Sequence, residues 1–123
     1  MKAYNTDKAP AAVGPYVQAI GTENFVFTSG QLSINPENGE LVTEIKAAAR
    51  QSLENVKAIL EEAGTSMDKV IKCTVFLADI NDFAAVNEVY KEYFSDHKPA
   101  RSAIQVGALP LGGVIEIEAI ATL

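Results

Sequence analysis

Val114-Ile115-Glu116-Ile117-Glu118-Ala119-Ile120-Ala121 closes the chain and has the pattern of a strand. Apolar residues occupy every second position, which is the period of a sheet. The two glutamates share one side, although an ordinary core strand carries no charge there. The preceding strand, residues 102–109, opens on Pro99-Ala100-Arg101-Ser102 and brings an arginine to the same sheet. The turn at residues 110–113 predicts that these two strands form a hairpin.

Two segments upstream have helical periodicity. Residues 44–63 place apolar side chains on one face, with Thr43 as the predicted N-cap and Gly64 at the C′ position. Asp79 or Asn81 is predicted to cap the second helix. The apolar face of that helix carries Phe83, Val86, Tyr90 and Phe94.

The remaining strands are an N-terminal hairpin and a strand between the helices. Residues 16–20 and 25–30 flank a turn rich in Gly and Asn, which is a hairpin signal, and residues 70–77 are mostly apolar. The resulting order is ββαβαββ. It predicts a single α+β domain over residues 1–123, with two helices on one face of one sheet.

Several of these strands are apolar on both sides. In residues 70–77, one side carries Ile71, Cys73, Val75 and Leu77, while Val70 and Phe76 lie on the other. A strand of this kind is normally covered on both faces, and two helices can cover only one. We therefore expect a second copy of the chain on the other face, with Glu116, Glu118 or both facing a cleft near the subunit boundary.

Composition narrows the classes of function. The formal net charge of −6 and the lack of any basic run disfavour nucleic-acid binding. No apolar run is long enough for a membrane helix, and the first residues lack a secretion signal, so we expect a cytoplasmic protein. One cysteine and one histidine cannot form the common zinc sites, and no phosphate-binding glycine loop is present. We expect a protein that works without a cofactor or metal.

Arg101 and the strand glutamates indicate a site for a small carboxylate. A guanidinium binds a carboxylate through two parallel hydrogen bonds, and a glutamate on a neighbouring strand can hold a water or a proton beside it. The alternative is a structural Arg101–Glu116 ion pair at an interface. Spacing alone does not decide between these interpretations.

The chain resembles the RidA (YjgF/YER-type) family of reactive intermediate deaminases almost from end to end. The matching segments near the N-terminus are Gly14-Pro15-Tyr16-Val17-Gln18-Ala19 and Thr28-Ser29-Gly30-Gln31. The central ones are Gln51-Ser52-Leu53-Glu54-Asn55-Val56 and Asp82-Phe83-Ala84-Ala85-Val86-Asn87. The C-terminal ones are Pro99-Ala100-Arg101-Ser102 and Ile115-Glu116-Ile117-Glu118-Ala119.

The resemblance implies a chorismate-mutase-like fold in a homotrimer, with the sites between subunits. It also implies hydrolysis of 2-iminobutanoate and 2-iminopropanoate, which pyridoxal-phosphate-dependent dehydratases release, to 2-oxo acids and ammonia. Arg101 would bind the substrate carboxylate, and Glu116, ranked ahead of Glu118, would position the attacking water. The rest of the site would be Tyr16, Ser29, Gly30, Asn87 and the backbone N–H of Ala103.

Three departures from the family pattern affect this site. Ala103 stands where many members have a cysteine, and residues 111–113 replace a more polar turn. The loop before Pro99 is also shorter than in many members. Two other functions remain open: a non-catalytic module that binds small carboxylates, and a ribonuclease or translation inhibitor, as some relatives have been described.

Overall fold

The computed structural model describes all 123 residues of the chain. Two helices, α1 (Ile45–Glu62) and α2 (Phe83–Tyr93), pack on a single sheet. The strands of that sheet are β1 (Lys2–Tyr4), β2 (Ala19–Gly21), β3 (Phe25–Thr28), β4 (Gln31–Leu32), β5 (Val70–Leu77), β6 (Ala100–Gln105) and β7 (Ile115–Thr122). The α+β class with one sheet and two helices is confirmed. The order ββαβαββ was incomplete, because it omitted the short strands β1 and β4.

β7 is the central strand of the sheet. β5 pairs antiparallel with one of its edges, while β3 and β4 pair with the other edge near opposite ends of β7. The full strand order is β1-β2-β3-β7-β5-β6, so β6 lies at an edge. The strand that carries the glutamates is thus hydrogen-bonded on both sides.

The predicted hairpin between the last two strands is wrong, because β5 lies between β6 and β7. β6 runs parallel to β5, and α2 makes the crossover between them. The chain then passes over the end of β5, where Val106 N donates to Leu77 O at 2.9 Å and Ala78 N donates to Val114 O at 3.1 Å. The turn that the sequence marks at residues 110–113 belongs to this connection.

Side chains alternate between the two faces of the sheet. Ile115, Ile117, Ala119 and Ala121 are buried on the helix side, and so are Cys73, Val75 and Leu77 of β5. Ile71 was predicted on this buried side and is instead exposed. A shift of register between Val70 and Lys72 is the reason, since a β-bulge reverses the direction of the side chains that precede it.

The sequence predicts Thr43 as the N-cap of the first helix, but α1 begins one residue later. Glu44 is the N-cap, and its carboxylate accepts hydrogen bonds from Lys46 N at 3.2 Å and Ala47 N at 2.7 Å. At the other end, Gly64 has φ +86° and follows the last helical turn, as predicted. Asp79 caps only the short 3₁₀ turn (Ile80–Asp82) that leads into α2.

Two buried amides attach irregular segments to this framework. The Nε2 of Gln18 donates to the carbonyls of Thr6, Ala9 and Pro10, and its Oε1 accepts from Thr6 N at 2.6 Å. From α1, the Nδ2 of Asn55 donates to the carbonyls of Leu32 and Ile34. Residues 6–10 and 32–34 are therefore fixed in place by side chains.

The face of the sheet opposite the helices carries exposed apolar residues. Phe27 and Ile104 are 42% and 47% exposed, and Phe25 lies beside Phe27 with its ring edge-on. Ile20, Phe76 and Ile120 are partly buried on the same face. This is the face that the sequence predicts to be covered by another copy.

No helix of the chain has the length and apolar character needed to cross a membrane.

Replacing Gln18 with leucine should release the N-terminal segment. The change leaves one backbone N–H and three carbonyls without their partner, so the free energy of unfolding should fall by about 3 kcal/mol. Limited proteolysis should cut residues 1–17 faster, and urea denaturation at fixed protein concentration measures the stability.

Gln105→Leu is the matched control, because its side chain accepts one exposed hydrogen bond from Ile80 N. Its cost should stay below about 1 kcal/mol. Equal stability and equal protease resistance of the two variants would contradict the role given to Gln18.

Candidate active site

The side chain of Arg101 lies on the helix side of the sheet, at its edge. In register, Arg101 of β6 is opposite Cys73 of β5, which is opposite Ala119 of β7. Cys73 and Ala119 are buried beneath the helices. Arg101 therefore points toward α2, because residues in register share a face.

Three side chains of α2 hold the guanidinium of Arg101. Its Nη1 donates to Asn87 Oδ1 at 2.7 Å. Its Cζ lies 5.1 Å from the ring centre of Phe83 and 4.7 Å from that of Tyr90. These residues are spaced i, i+4 and i+7, so one stripe of the helix faces the arginine. Contacts with two aromatic rings and an amide fix the orientation of the guanidinium while leaving its charge without an anionic partner.

A cavity of about 490 Å³ opens in front of this group. Arg101, Lys91 and Lys98 contribute positive charge to its wall, and Tyr90 and Phe94 contribute aromatic surface. Lys98 Nζ is hydrogen-bonded to the carbonyl of Ser95 at 2.7 Å. This cavity is suited to bind a small anion.

Tyr90 lies between the arginine and the core. Its hydroxyl is buried without a hydrogen-bond partner. Burial, with a smaller contribution from the nearby Cys73 thiol, raises the pKa of Tyr90. Burial also raises the pKa of Cys73. Both groups are therefore neutral, and the charge at this point comes from Arg101.

Glu116 lies on the opposite face of the sheet. It is in register with Phe76 of β5 and Leu32 of β4, and its neighbours Ile115 and Ile117 face the helices. The carboxylate is partly buried and has no hydrogen bond or ion pair within the chain. Burial, followed by the charge of Glu118, raises the pKa of Glu116 above its usual range. A partly buried acid with no partner is typical of a functional site.

Gly30 provides the space that Glu116 occupies. A Cβ at this position would collide with the carboxylate, and would lie 2.8 Å from Cδ of Glu116. The backbone of residue 30 therefore contacts the carboxylate directly. Any larger residue would displace the glutamate.

Glu116 opens into a cavity of about 540 Å³, whose wall includes Tyr16, Ser29 and Gly30. Ser29 Oγ donates to the carbonyl of Val17 at 2.6 Å, so toward the cavity it can only accept a hydrogen bond. Half of the surface of Tyr16 is exposed. Gln18 lines this cavity too, so the residues that it fixes belong to the wall.

The residues predicted for one site thus form two groups. Tyr16, Ser29, Gly30 and Glu116 line one cavity, and Arg101 and Asn87 line the other. Ala103 lines neither cavity, and its side chain packs against the core, so the backbone N–H predicted to act beside Arg101 stays a prediction. The two ion pairs within the chain are Lys46–Glu88 and Arg50–Glu92, so none joins Arg101 to Glu116. No cluster of histidine, cysteine, aspartate or glutamate side chains is arranged to hold a metal ion.

Comparison with known proteins identifies the family of this arrangement. The family model described as Endoribonuclease L-PSP matches residues 6–123. The chain is 50% identical to the 2-iminobutanoate/2-iminopropanoate deaminase of Escherichia coli K12, over 98% of this chain and 96% of that protein. A RutC family protein of Pyrococcus abyssi is 56% identical, over 94% and 92% of the two chains.

Solved structures give the same result. The E. coli YjgF gene product superposes with a TM-score of 0.96 at 50% identity, covering 99% of this chain and 98% of that one. E. coli TdcF with bound serine also reaches 0.96, at 49% identity and with 100% and 99% coverage. The chain belongs to the RidA (YjgF/L-PSP) family.

Within this RidA-family chain, some side chains at the candidate site were not singled out from sequence. Phe83 and Tyr90 were assigned only to the apolar face of a helix, although both contact Arg101. Lys91 and Lys98 were not considered. The spacing of Phe83, Asn87 and Tyr90 was the available signal. That spacing is the same for side chains that pack in the core and for side chains that contact an arginine. The two cases can be distinguished only once β6 is known to lie beside α2.

Two replacements of Tyr90 should separate the effect of its ring from the effect of its hydroxyl. Tyr90→Phe keeps the ring and removes a buried unpaired hydroxyl, so the free energy of unfolding should stay equal or rise by up to about 1 kcal/mol. Tyr90→Leu removes the ring beside Arg101 and should weaken binding of 2-oxobutanoate about tenfold, measured by titration calorimetry. Equal weakening by both variants would show that the ring face is not what holds the guanidinium.

Proposed function

We propose that this chain is a hydrolytic deaminase of reactive 2-imino acids and that two copies in a homotrimer contribute to each active site. The substrates would be 2-iminobutanoate and 2-iminopropanoate, released by pyridoxal-phosphate-dependent dehydratases. E. coli relatives at 50% identity bear the name of this activity. The observation that carries the proposal is the separation of Arg101 and Glu116 onto opposite faces of one sheet.

The two groups complement each other in charge. Arg101 is a held cation with no anion, and Glu116 is a partly buried acid with no cation. Within one chain the sheet lies between them, so neither group completes the other. A second copy that brings its own Glu116 cavity against the Arg101 cavity would join a carboxylate clamp to a base. The exposed apolar residues on the Glu116 face, among them Phe27 and Ile104, favour such contact between copies.

Each group has a defined part in the reaction. Arg101 would bind the substrate carboxylate through two parallel hydrogen bonds, with Asn87 fixing the angle of the guanidinium. Glu116 would accept a proton from water, whose oxygen attacks C2 of the protonated imine. Glu116 would then return that proton to the nitrogen of the tetrahedral intermediate. As the C–N bond breaks, the carboxylate of Glu116 would take the hydroxyl proton of the intermediate, which leaves the 2-oxo acid and ammonia. Transfer of that proton to ammonia or to solvent restores the carboxylate, with one water consumed in the cycle.

Little further catalysis is required, because a protonated imine is already electrophilic. Holding the carboxylate at Arg101 and the water within reach of C2 at Glu116 would supply most of the remaining rate enhancement. A raised pKa for Glu116 suits this use, since a base works best when its pKa is closer to the working pH. The solved TdcF structure with bound serine supports a ligand of amino-acid size in this family.

The other functions suggested for relatives fit less well. One related structure is named as a putative endoribonuclease and another as a putative translation initiation inhibitor. The net charge of −6 opposes binding to a phosphate backbone. A module that only binds carboxylates would need Arg101 and the side chains that hold it, but it would not need Glu116. The presence of the Glu116 cavity therefore favours catalysis.

The activity can be tested by trapping the imine. Threonine dehydratase acting on threonine supplies 2-iminobutanoate, and semicarbazide captures what is not hydrolysed. Wild type should suppress trapping, whereas Arg101→Ala and Glu116→Gln should lose activity by about a hundredfold or more. Glu118→Gln is the matched control on the same strand face and should change the rate only a few-fold.

The pH profile tests whether Glu116 is the base. Because its pKa is raised, kcat/KM should fall as the pH is lowered through a value above 4.5, the usual pKa of glutamate. Glu116→Gln should lack this acidic limb.

If wild type hydrolyses none of several amino-acid-derived imines, the deaminase proposal is wrong.

A further inference from the structure

The cavity beside Glu116 is lined by both polar and apolar residues. Glu116, Ser29, Gln18 and Gln31 are the polar ones. The apolar wall includes Val13, Leu32 and Ile34. The cavity in front of Arg101 is different, because Lys91 and Lys98 contribute to its wall. A substrate held between the two groups would therefore meet apolar surface on the Glu116 side and positive charge on the other.

Leu111 is the unusual member of the apolar wall. Its backbone has φ 60° and ψ 17°, and it is the one non-glycine residue of the chain with positive φ. A branched side chain is disfavoured in this left-handed region, where glycine and asparagine are preferred. The side chain is also 76% exposed, so burial within the chain does not compensate for the strain.

The turn around Leu111 is fixed on both sides. Gly113 N donates to Pro110 O at 3.0 Å, and Gly113 packs so closely on Leu32 that a Cβ would lie 2.9 Å from its Cδ2. Leu32 itself lines the cavity. The leucine at position 111 is thus held over the cavity, with Val13, which is 92% exposed, also at its wall. Neither local conformation nor core packing accounts for a leucine here, and residues kept under such strain cluster at ligand sites.

We propose that Leu111 determines substrate specificity, together with Val13, by contacting the side chain of the bound 2-imino acid. The preferred substrates would be imines with branched or long apolar side chains, such as that of leucine, over polar imines of equal size. This inference rests on the proposed function for the identity of the reacting group. It concerns a separate part of the ligand, which can be tested by binding alone.

The test compares 2-oxo acids as ligands and the matching imines as substrates. Wild type should bind 4-methyl-2-oxopentanoate at least about tenfold more tightly than pyruvate in titration calorimetry. Imines made in situ from leucine, alanine and asparagine by a flavin amino-acid oxidase with oxygen should be hydrolysed with the leucine imine preferred. Leu111→Asn and Leu111→Gly should reduce the leucine-to-alanine ratio of kcat/KM about tenfold, because the larger apolar side chain loses more contact than the methyl group does.

Both replacements suit the left-handed backbone, so the melting temperature should stay equal or rise while selectivity falls. A residue with a purely structural role would not give that combination. Ile80→Asn is the matched control, because Ile80 is 44% exposed and lines neither cavity. Its selectivity should equal that of wild type.

The outcomes separate the two proposals. Tight binding of the apolar oxo acid that Leu111→Asn weakens, without imine hydrolysis by wild type, would overturn the deaminase function and support the role of Leu111. Hydrolysis of the leucine and alanine imines with an unchanged ratio in Leu111→Asn would overturn the role of Leu111 alone. Loss of the oligomer in the Leu111 variants, measured by light scattering, would also overturn it, because Leu111 would then be an interface residue.

Discussion

The alternation of side chains along the paired strands β5, β6 and β7 is the constraint on which the site depends. One register row places Arg101, Cys73 and Ala119 on the helix side, and another places Glu116 and Phe76 on the open side. The two rows cross β5 at Cys73 and Phe76, which are three residues apart and therefore face opposite sides of the sheet. Only a bulge between them could change this, and no shift of register occurs there. The arginine and the glutamate therefore belong to different surfaces of each chain.

Polar contacts keep each surface in shape. On the helix side, α2 presents two rings and an amide to the guanidinium of Arg101. On the open side, the amides of Gln18 and Asn55 fix segments that form the cavity wall, and Gly30 leaves room for the carboxylate. Each group is organised within its own chain, so the proposed shared site would require only that an assembly bring the two surfaces together.

Much of this arrangement follows from local pattern. Both helices, the central strand and the C′ role of Gly64 could be predicted because period, caps and positive φ are local properties. The partners of β6 could not be predicted, since a turn signal at residues 110–113 is compatible with a hairpin and with a crossing over β5. Ile71 was misplaced because a bulge has no clear sequence mark. The contact of Tyr90 with Arg101 likewise depends on the parallel pairing of β5 and β6.

The proposed shared site is tested most directly by mixing the two variants expected to be inactive. Arg101→Ala and Glu116→Gln chains would be unfolded, combined in equal amounts and refolded, and imine hydrolysis would be compared with each variant refolded alone. If each site takes its arginine from one copy and its glutamate from another, random assembly should restore about one quarter of the wild-type activity. A mixture that forms oligomers of normal size yet stays as inactive as its components would contradict the account.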